Sequence, residues 1–443
     1  MKNTIQKLGI AMMMILGMSL CSLGQVSFAP SLSAGSASVA LPVKRGDVIG
    51  AWGRTAEYFV LYDDLKAKAL VLSDGAVENG LKKRIAIVSV DLLLVYNGGV
   101  EGQPDFVEQI KREVNTQLKE KGESMEVIVV ATHVHAAPDM KGLYIQPIVD
   151  AIIRANDNLQ PAKMAVGVAS ASGMFNRIER QAEKPRTQLI VHDRCGQNYG
   201  EYLKLHPRDP INNQIGIISF VNLKGNNIGL IVNFAAHPVI FGDKSPSQAN
   251  NVVSSDFPGY VEREIARDLG GEVLYLQGAA GDINPWCSLA TGDEAESQVE
   301  RFGTEISKSV LRALSKFTDY NTKTAISFRS DSVLNEQPPY AGFHYHLKSA
   351  EIHAILFGAT TALITTPGEL FSKLGKDIQN GSPVKNTFVL GYTNDAIGYI
   401  PEGDYCGPES LATAYSTHPQ DAVMFIPCGF GEKIVSKAIA LLR

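Results

Sequence analysis

The feature that most constrains the fold is a helix-like segment lying between two strand-like ones. Residues 85–90 and 127–130 are runs of apolar and β-branched residues, a composition typical of buried strands. The segment between them opens at Pro104, and its apolar residues recur every fourth position: Phe106, Ile110, Val114 and Leu118. A strand, a helix and a strand in this order predict two parallel neighbours joined by a crossover helix. The sequence therefore predicts an α/β fold.

Histidine and carboxylate side chains recur at the ends of the predicted buried strands. The residues concerned are His133, His135, His237, Asp282 and Glu369. A His-x-His pair alone is weak evidence, because two surface histidines beside a turn give the same pattern. The recurrence is more informative, since the carboxyl ends of strands are where α/β folds carry their reactive groups. Imidazole and carboxylate are also common zinc ligands, so the pattern favours a metal site.

The rest of the chain continues the alternation of strands and helices. Residues 214–223 and 227–234 are predicted strands joined by a hairpin turn at 224–226. Asp256 is placed to cap a helix, and residues 354–366 are predicted to form one strand. Neither a repeat nor a linker interrupts residues 41–443, so we expect a single large catalytic domain with a mixed β-sheet flanked by helices.

The first 40 residues are expected to lie outside that domain. Residues 1–24 combine two lysines with a short apolar run, which predicts a secretory signal peptide and an exported protein. Cys21 leaves open a lipid-anchored alternative. Residues 31–39 are small and polar, and we expect residues 25–40 to form a flexible lead-in. Four further cysteines are compatible with disulfide bonds in an exported protein: Cys195, Cys287, Cys406 and Cys428. The nearest pair in sequence is Cys406 and Cys428.

Charge and hydropathy exclude two classes of partner. The formal net charge is −5 and no basic run is present, which argues against nucleic acid. After the signal peptide, no stretch is apolar and long enough to be expected to cross a membrane. The sequence does not predict an oligomeric state.

Seven short stretches, in this order, resemble the neutral/alkaline non-lysosomal ceramidase family. They are ATHVHAAPD (131–139), FNR (175–177), VNFAAHPV (232–239), SSDFPGYVEREI (254–265), QGAAGDINP (277–285), TTPGELF (365–371) and GYTNDAIGYIP (391–401). The resemblance covers the family's catalytic domain and not its C-terminal β domain. It implies a zinc-dependent hydrolase that cleaves a linear amide bond with zinc-activated water. The implied substrate is an N-acyl compound, with ceramide and other N-acyl lipids as candidates.

The resemblance also implies roles for individual residues. The zinc ligands would be His133, His237, Glu369 and Tyr399. The remaining site residues, His135 and Arg177, would handle the scissile carbonyl and the leaving amine. From the residues alone, Glu369 is also compatible with a helix N-terminus and Tyr399 with a core position.

One position departs from the family. Asn284 occupies the place of a serine that contacts the substrate in ceramidases. Asparagine cannot attack a carbonyl, but its amide can donate a hydrogen bond, so we assign Asn284 to the catalytic residues as a positioning group. The substitution keeps one alternative open, a non-catalytic exported binding protein that retains the pocket.

Three other hydrolase classes fit less well. A metallo-β-lactamase needs an Asp-His after the His-x-His pair, and Ala137-Pro138 stands there instead. The central hairpin interrupts the strand–helix alternation of a barrel amidohydrolase. No Gly-x-Ser-x-Gly motif is present, which argues against a serine hydrolase.

Overall fold

The computed structural model describes most of the domain predicted from the sequence. The described residues are 31–44, 47–49, 56–57, 60–99, 104–138, 142–176, 178–179, 188–189, 211–241, 252–288, 290, 292–338, 346–403 and 426–443. The predicted signal peptide lies outside these ranges, and its removal stays a prediction.

Helices and strands alternate along the described chain. The helices are α1 (Phe106–Lys119), α2 (Ile145–Asp157), α3 (Asp256–Leu269), α4 (Gly292–Leu314), α5 (Ser372–Gly381) and α6 (Phe430–Leu441), with a 3₁₀ turn at Gly142–Tyr144. The strands are β1 (Ser33–Ala40), β2 (Val48–Ile49), β3 (Ala56–Glu57), β4 (Val60–Leu61), β5 (Lys66–Ser73), β6 (Val77–Glu78), β7 (Leu81–Val90), β8 (Glu123–Ala131), β9 (Gln160–Ser170), β10 (Met174–Asn176), β11 (Ile178–Glu179), β12 (Gln188–Leu189), β13 (Gln214–Asn222), β14 (Asn227–Phe234), β15 (Val252–Val253), β16 (Glu272–Gln277), β17 (Ile283–Pro285), β18 (Ile326–Leu334), β19 (Ser349–Phe357), β20 (Thr361–Thr365), β21 (Glu369–Leu370), β22 (Asn386–Leu390) and β23 (Tyr399–Ile400).

The main sheet is mixed. Its order is β16-β14-β13-β9-β1-β5-β7-β6, and β8 pairs with the other side of β7. The pairs β7–β8 and β14–β16 are parallel, whereas β13–β14 is the antiparallel hairpin expected from the sequence. The α1 helix joins β7 to β8 and buries the predicted apolar face, so the strand–helix–strand prediction is confirmed.

A second sheet packs against the first. It has the order β18-β19-β20-β22, and apolar side chains of both sheets share one core. The α1 and α2 helices cover β1, β5, β7 and β8, while α3 and α4 cover the β9–β16 part of the main sheet. The α5 and α6 helices cover the second sheet. The predicted α/β class, with mixed sheet flanked by helices, is confirmed.

The prediction of a flexible lead-in is wrong for residues 33–40. They form β1, which pairs antiparallel with β5 along its whole length. The small side chains have a packing reason: a Cβ on Gly35 would lie 2.3 Å from the carbonyl oxygen of Ala155 in α2. Small residues therefore allow a helix to lie close to the strand. Backbone hydrogen bonds with β5 hold this segment in place, and amino-acid composition does not predict such bonds.

Two local predictions also need correction. Residues 354–366 are not one strand, because β19 turns at Gly358 (φ 59°) into the antiparallel strand β20. Asp256 is the first residue of α3 and not its N-cap, which is Ser255. The Asp256 carboxylate accepts hydrogen bonds from the backbone N–H groups of Phe257 (2.6 Å) and Phe241 (2.9 Å), and so it still serves the helix N-terminus.

Cys287 and Cys428 both take part in disulfide bonds. The suggested partner of Cys428, Cys406, lies outside the described residues, so that pairing stays a prediction. Within the described part of the chain, none of the helices is sufficiently long and apolar to cross a membrane.

Candidate metal centre

His133 lies directly beyond the carboxyl end of β8, in a conformation that non-glycine residues rarely adopt. Its φ is 66°. Its Nδ1 donates a hydrogen bond to the carbonyl oxygen of Leu93 at 2.8 Å, and its backbone N–H donates to Leu92. The ring packs on Tyr392, with centroids 4.0 Å apart. Because Nδ1 carries the proton of the neutral ring, the lone pair of Nε2 is available to a ligand.

His237 follows β14 and is held in the same way. Its Nδ1 donates to the carbonyl oxygen of Ala280 at 2.6 Å, and its backbone N–H donates to Ile283 at 2.9 Å. The small-residue loop 277–285 therefore supplies the carbonyl group that orients His237. The tautomer of this ring also leaves Nε2 available.

Glu369 reaches the histidines from β21, which pairs in parallel with β23. In this pairing Glu369 stands opposite Tyr399. The loop after β16 lies against the backbone of Glu369, since a Cβ on Gly281 would be 2.3 Å from the Glu369 carbonyl oxygen. Glycine at 281 thus allows the close approach of two backbone segments.

The ligand atoms of these residues converge. Glu369 Oε2 lies 3.1 Å from His237 Nε2 and 3.3 Å from His133 Nε2. His135 Nε2 lies 3.2 Å from His133 Nε2, and one nitrogen from each of the three histidines lies within 4.8 Å of the others. His133 and His237 are buried and His135 is half-buried. These side chains therefore lie together in the structure, and their use as a metal site stays a prediction.

The pKa of Glu369 is held well below its usual value. Burial alone raises this pKa, but the charge and hydrogen bonds of His133 and His237, when these rings are protonated and no metal is bound, outweigh burial. The carboxylate is consequently the stable form at neutral pH. Two imidazole nitrogens oriented by backbone carbonyls, a third imidazole and a carboxylate are a donor set that fits zinc.

The remaining predicted site residues have different outcomes. The Tyr399 ring lies beside His237, nearly parallel to it, with centroids 6.4 Å apart. The structure thus brings Tyr399 to the cluster, while its ligation of a metal stays a prediction. Arg177 lies outside the described residues. His135 Nε2 lies beside His133 Nε2. This position is compatible with the predicted role of His135 in proton transfer, which stays a prediction.

Asn284 lies on β17, adjacent to the Ile283 carbonyl that holds the His237 backbone. The β17 strand pairs with β10, where Phe175 stands opposite Asn284. Asn284 is buried (3% exposed), and its Oδ1 has no hydrogen-bond partner among the described residues. A buried amide oxygen is costly unless it accepts a hydrogen bond, so this atom is suited to accept one from a bound polar group.

Asp282 has a structural role. Its Oδ1 accepts a hydrogen bond from the Ser372 backbone N–H, and its Oδ2 accepts from the Ser372 hydroxyl and the Asn176 amide. It therefore joins α5 and β10 to the loop 277–285.

Sequence reasoning missed Tyr392, whose ring contacts His133. This residue lies in the stretch 391–401 that carries part of the family resemblance, but nothing in that stretch indicated a contact with His133. The carbonyl groups of Leu93 and Ala280 were missed as well. Backbone groups of ordinary residues give no sequence signal.

The fold and the site together define an α/β protein with a cluster of histidine and carboxylate side chains that could hold a metal ion. No protein-family model matches the sequence. The fold is similar to that of neutral ceramidase from Pseudomonas aeruginosa, with a TM-score of 0.66 and 17% sequence identity over 93% of this chain and 74% of that chain. It is also similar to a ceramidase complexed with C2, with a TM-score of 0.65 and 16% identity over 93% of this chain and 75% of that chain. The chain thus has a neutral ceramidase-like catalytic-domain fold.

Proposed function

We propose that this chain is a zinc-dependent hydrolase that cleaves the linear amide bond of an N-acyl substrate, with ceramide-like lipids as the first class to test. The observation that carries the proposal is the position of Glu369 Oε2, 3.3 Å from His133 Nε2 and 3.1 Å from His237 Nε2, with both imidazoles oriented by backbone carbonyls. The fold it shares with ceramidases supports the same reaction class.

In this proposal His133, His237, Glu369 and Tyr399 hold the ion. Zinc supplies Lewis acidity, which activates water and polarises the scissile carbonyl. The two buried imidazoles are already oriented for binding, because the Leu93 and Ala280 carbonyls fix their rings. Such preorganisation lowers the reorganisation cost of the transition state.

His135 is the proposed proton donor to the leaving amine. It is the most exposed of the three histidines, and its Nε2 faces the cluster. Imidazole is the side chain most often used as a general acid in enzymes, which suits His135 to this role. Arg177 is proposed to stabilise negative charge on the carbonyl oxygen.

Asn284 is proposed to orient the amide of the substrate. Its side chain offers an N–H donor and a carbonyl acceptor, and a secondary amide offers the complementary pair. The buried Oδ1 of Asn284 would accept the substrate N–H. Since asparagine forms no acyl ester, the reaction proceeds without a covalent acyl-enzyme at this position.

The proposal includes export. The charged start and short apolar run of residues 1–24 motivate it. An exported enzyme of this type would meet lipid or other N-acyl substrates outside the cytoplasm.

The test combines metal analysis with turnover. The purified protein is expected to bind one zinc per chain and to hydrolyse members of a panel of N-acyl sphingosines and N-acyl amino acids. His237→Ala should lose both the zinc and the activity. His353→Ala is a matched control, because His353 is equally buried but packs on Phe328 and contacts Asn394. Its variant should keep the zinc.

Two outcomes would contradict the proposal. If His237→Ala retained full zinc, the ligand assignment would be wrong. If the wild-type protein bound zinc but turned over no N-acyl compound, while binding one of them, the exported binding protein would be the better description, and the substitution at Asn284 would be its cause.

A further inference from the structure

Gln277 connects the backbone segments that carry the two buried histidines. It is the last residue of β16 and is fully buried. Its Nε2 donates hydrogen bonds to the carbonyl oxygens of Ala236, at 2.8 Å, and Thr132, at 3.3 Å. Ala236 immediately precedes His237, and Thr132 immediately precedes His133.

The other end of the same amide is also engaged. Gln277 Oε1 accepts hydrogen bonds from the backbone N–H groups of Gly278 (3.2 Å) and Ala236 (3.4 Å), and from the Tyr275 hydroxyl (3.4 Å). One side chain therefore bonds to the ends of β8, β14 and β16. A primary amide is the side-chain group that offers two N–H donors and a carbonyl acceptor in one plane.

The strand ladder does not make this connection. β8 pairs with β7, whereas β14 pairs with β13 and β16, so β8 and β14 are not neighbours in the sheet. Beyond the strands, the backbone N–H of His135 donates to the Pro238 carbonyl at 3.3 Å. Gln277 supplies the corresponding link on the strand side of the histidines.

We propose that Gln277 is a positioning residue that sets the separation of His133 and His237 for the metal. This inference rests on the metal centre proposed above. His133 has a φ of 66°, a conformation that persists only where neighbouring contacts enforce it. The hydrogen bond to Thr132 is one such contact, directly before the strained residue.

The test compares two buried amides. Gln277→Met keeps the length of the side chain and removes its hydrogen bonds. Asn233→Leu is the control, because Asn233 Nδ2 likewise donates to two backbone carbonyls, those of Leu276 and Val389, both at 3.0 Å. Neither of these carbonyl groups adjoins a histidine of the cluster. Both variants should unfold at a lower temperature than the wild type.

Only the Gln277 variant should alter the metal centre. We expect Gln277→Met to lose about 10–100-fold in zinc affinity, the usual effect of removing a group that orients metal ligands. Affinity would be measured by chelator competition well below the melting temperature. The visible absorption of the cobalt-substituted protein should change in Gln277→Met and stay as in the wild type in Asn233→Leu.

The outcomes are separable. A wild-type protein that binds no zinc overturns the metal centre and this inference together. A Gln277→Met protein with wild-type zinc affinity and cobalt spectrum overturns the role of Gln277 alone, as do equal losses in both variants. If Gln277→Met does not fold, Gln277→Asn replaces it, because the shorter amide remains polar but cannot span both carbonyl groups. Wild-type affinity in Gln277→Asn would likewise overturn the role.

Discussion

Replacing Gly281 with alanine is expected to displace Glu369 and weaken the metal centre. The added Cβ would lie 2.3 Å from the Glu369 carbonyl oxygen and 2.9 Å from Cδ1 of Phe371. The Gly281 N–H also donates to the Leu370 carbonyl at 3.0 Å, so the two backbone segments are held together at this place. The obstructing oxygen belongs to the backbone, and it cannot rotate away as the end of a side chain would.

The size of the effect follows from that distance. An ordinary van der Waals contact begins at 3.4 Å, so the backbones must separate by 3.4 − 2.3, or about 1 Å. Overpacking of this kind typically costs about 1–3 kcal/mol of folding stability. A displacement of about 1 Å at a catalytic group can reduce turnover about 100-fold. The loss should therefore be larger in turnover and zinc affinity than in the melting temperature.

Zinc affinity, turnover of the best N-acyl substrate and melting temperature would be measured for Gly281→Ala and for a control, Gly142→Ala. Among the described residues, a Cβ on Gly142 meets no atom within 4 Å, and the φ of Gly142 is not positive. The control should match the wild type in all three quantities. A Gly281→Ala protein with wild-type zinc affinity and turnover would refute the argument that glycine is required for the position of Glu369.

Three further predictions concern catalysis, pH and export. Asn284→Ala should raise the activation free energy by about 2–4 kcal/mol, the usual effect of losing one oriented hydrogen bond at the transition state, whereas Asn284→Ser should stay active. Steady-state kinetics on N-acyl substrates would test both expectations. A trapped acyl adduct in the wild type would contradict the mechanism. Burial raises the pKa of Asp256 from 3.8 to about 7. Between these two pH values the folded state keeps a proton that the unfolded state releases, so folding stability should fall as the pH rises from 3.8 to about 7. Melting curves across the window should show a smaller slope for Asp256→Asn, and an unchanged slope would contradict the burial argument. Mass spectrometry of the protein recovered from growing cells should show that residues 1–24 are removed, and an intact Met1 would count against export.

The candidate site was predictable to the extent that it depends on strand ends. His133 and His237 each follow an apolar strand and Glu369 begins β21, so the sequence placed residues of metal-ligand type at strand ends, where α/β folds carry their reactive groups. Their convergence, with Glu369 Oε2 3.1 Å from His237, agrees with that expectation. Tyr392 was not predictable, because its contact with His133 depends on how the second sheet meets the first.

The amino-acid composition of residues 33–40 led to a wrong prediction, because backbone hydrogen bonds hold this segment in a strand. Residues 33–40 have the small, polar composition of a flexible segment, yet they form β1 between β5 and β9. The same small side chains allow α2 to lie close to the strand at Gly35. A sequence pattern reports side-chain burial, and it contains little information about a strand whose main contribution is its backbone hydrogen bonds.

The sequence by itself determined the alternation of strands and helices and the placement of ligand-type residues at strand ends. Both follow from hydrophobic periodicity, which acts over a few neighbouring residues. Only the tertiary structure decided which nitrogen of each imidazole faces the cluster, because the carbonyls of Leu93 and Ala280 that fix it come from distant segments. It also decided that Gln277 connects the segments before His133 and His237. Such hydrogen bonds form between parts of the chain that only folding brings together, and no local pattern encodes them.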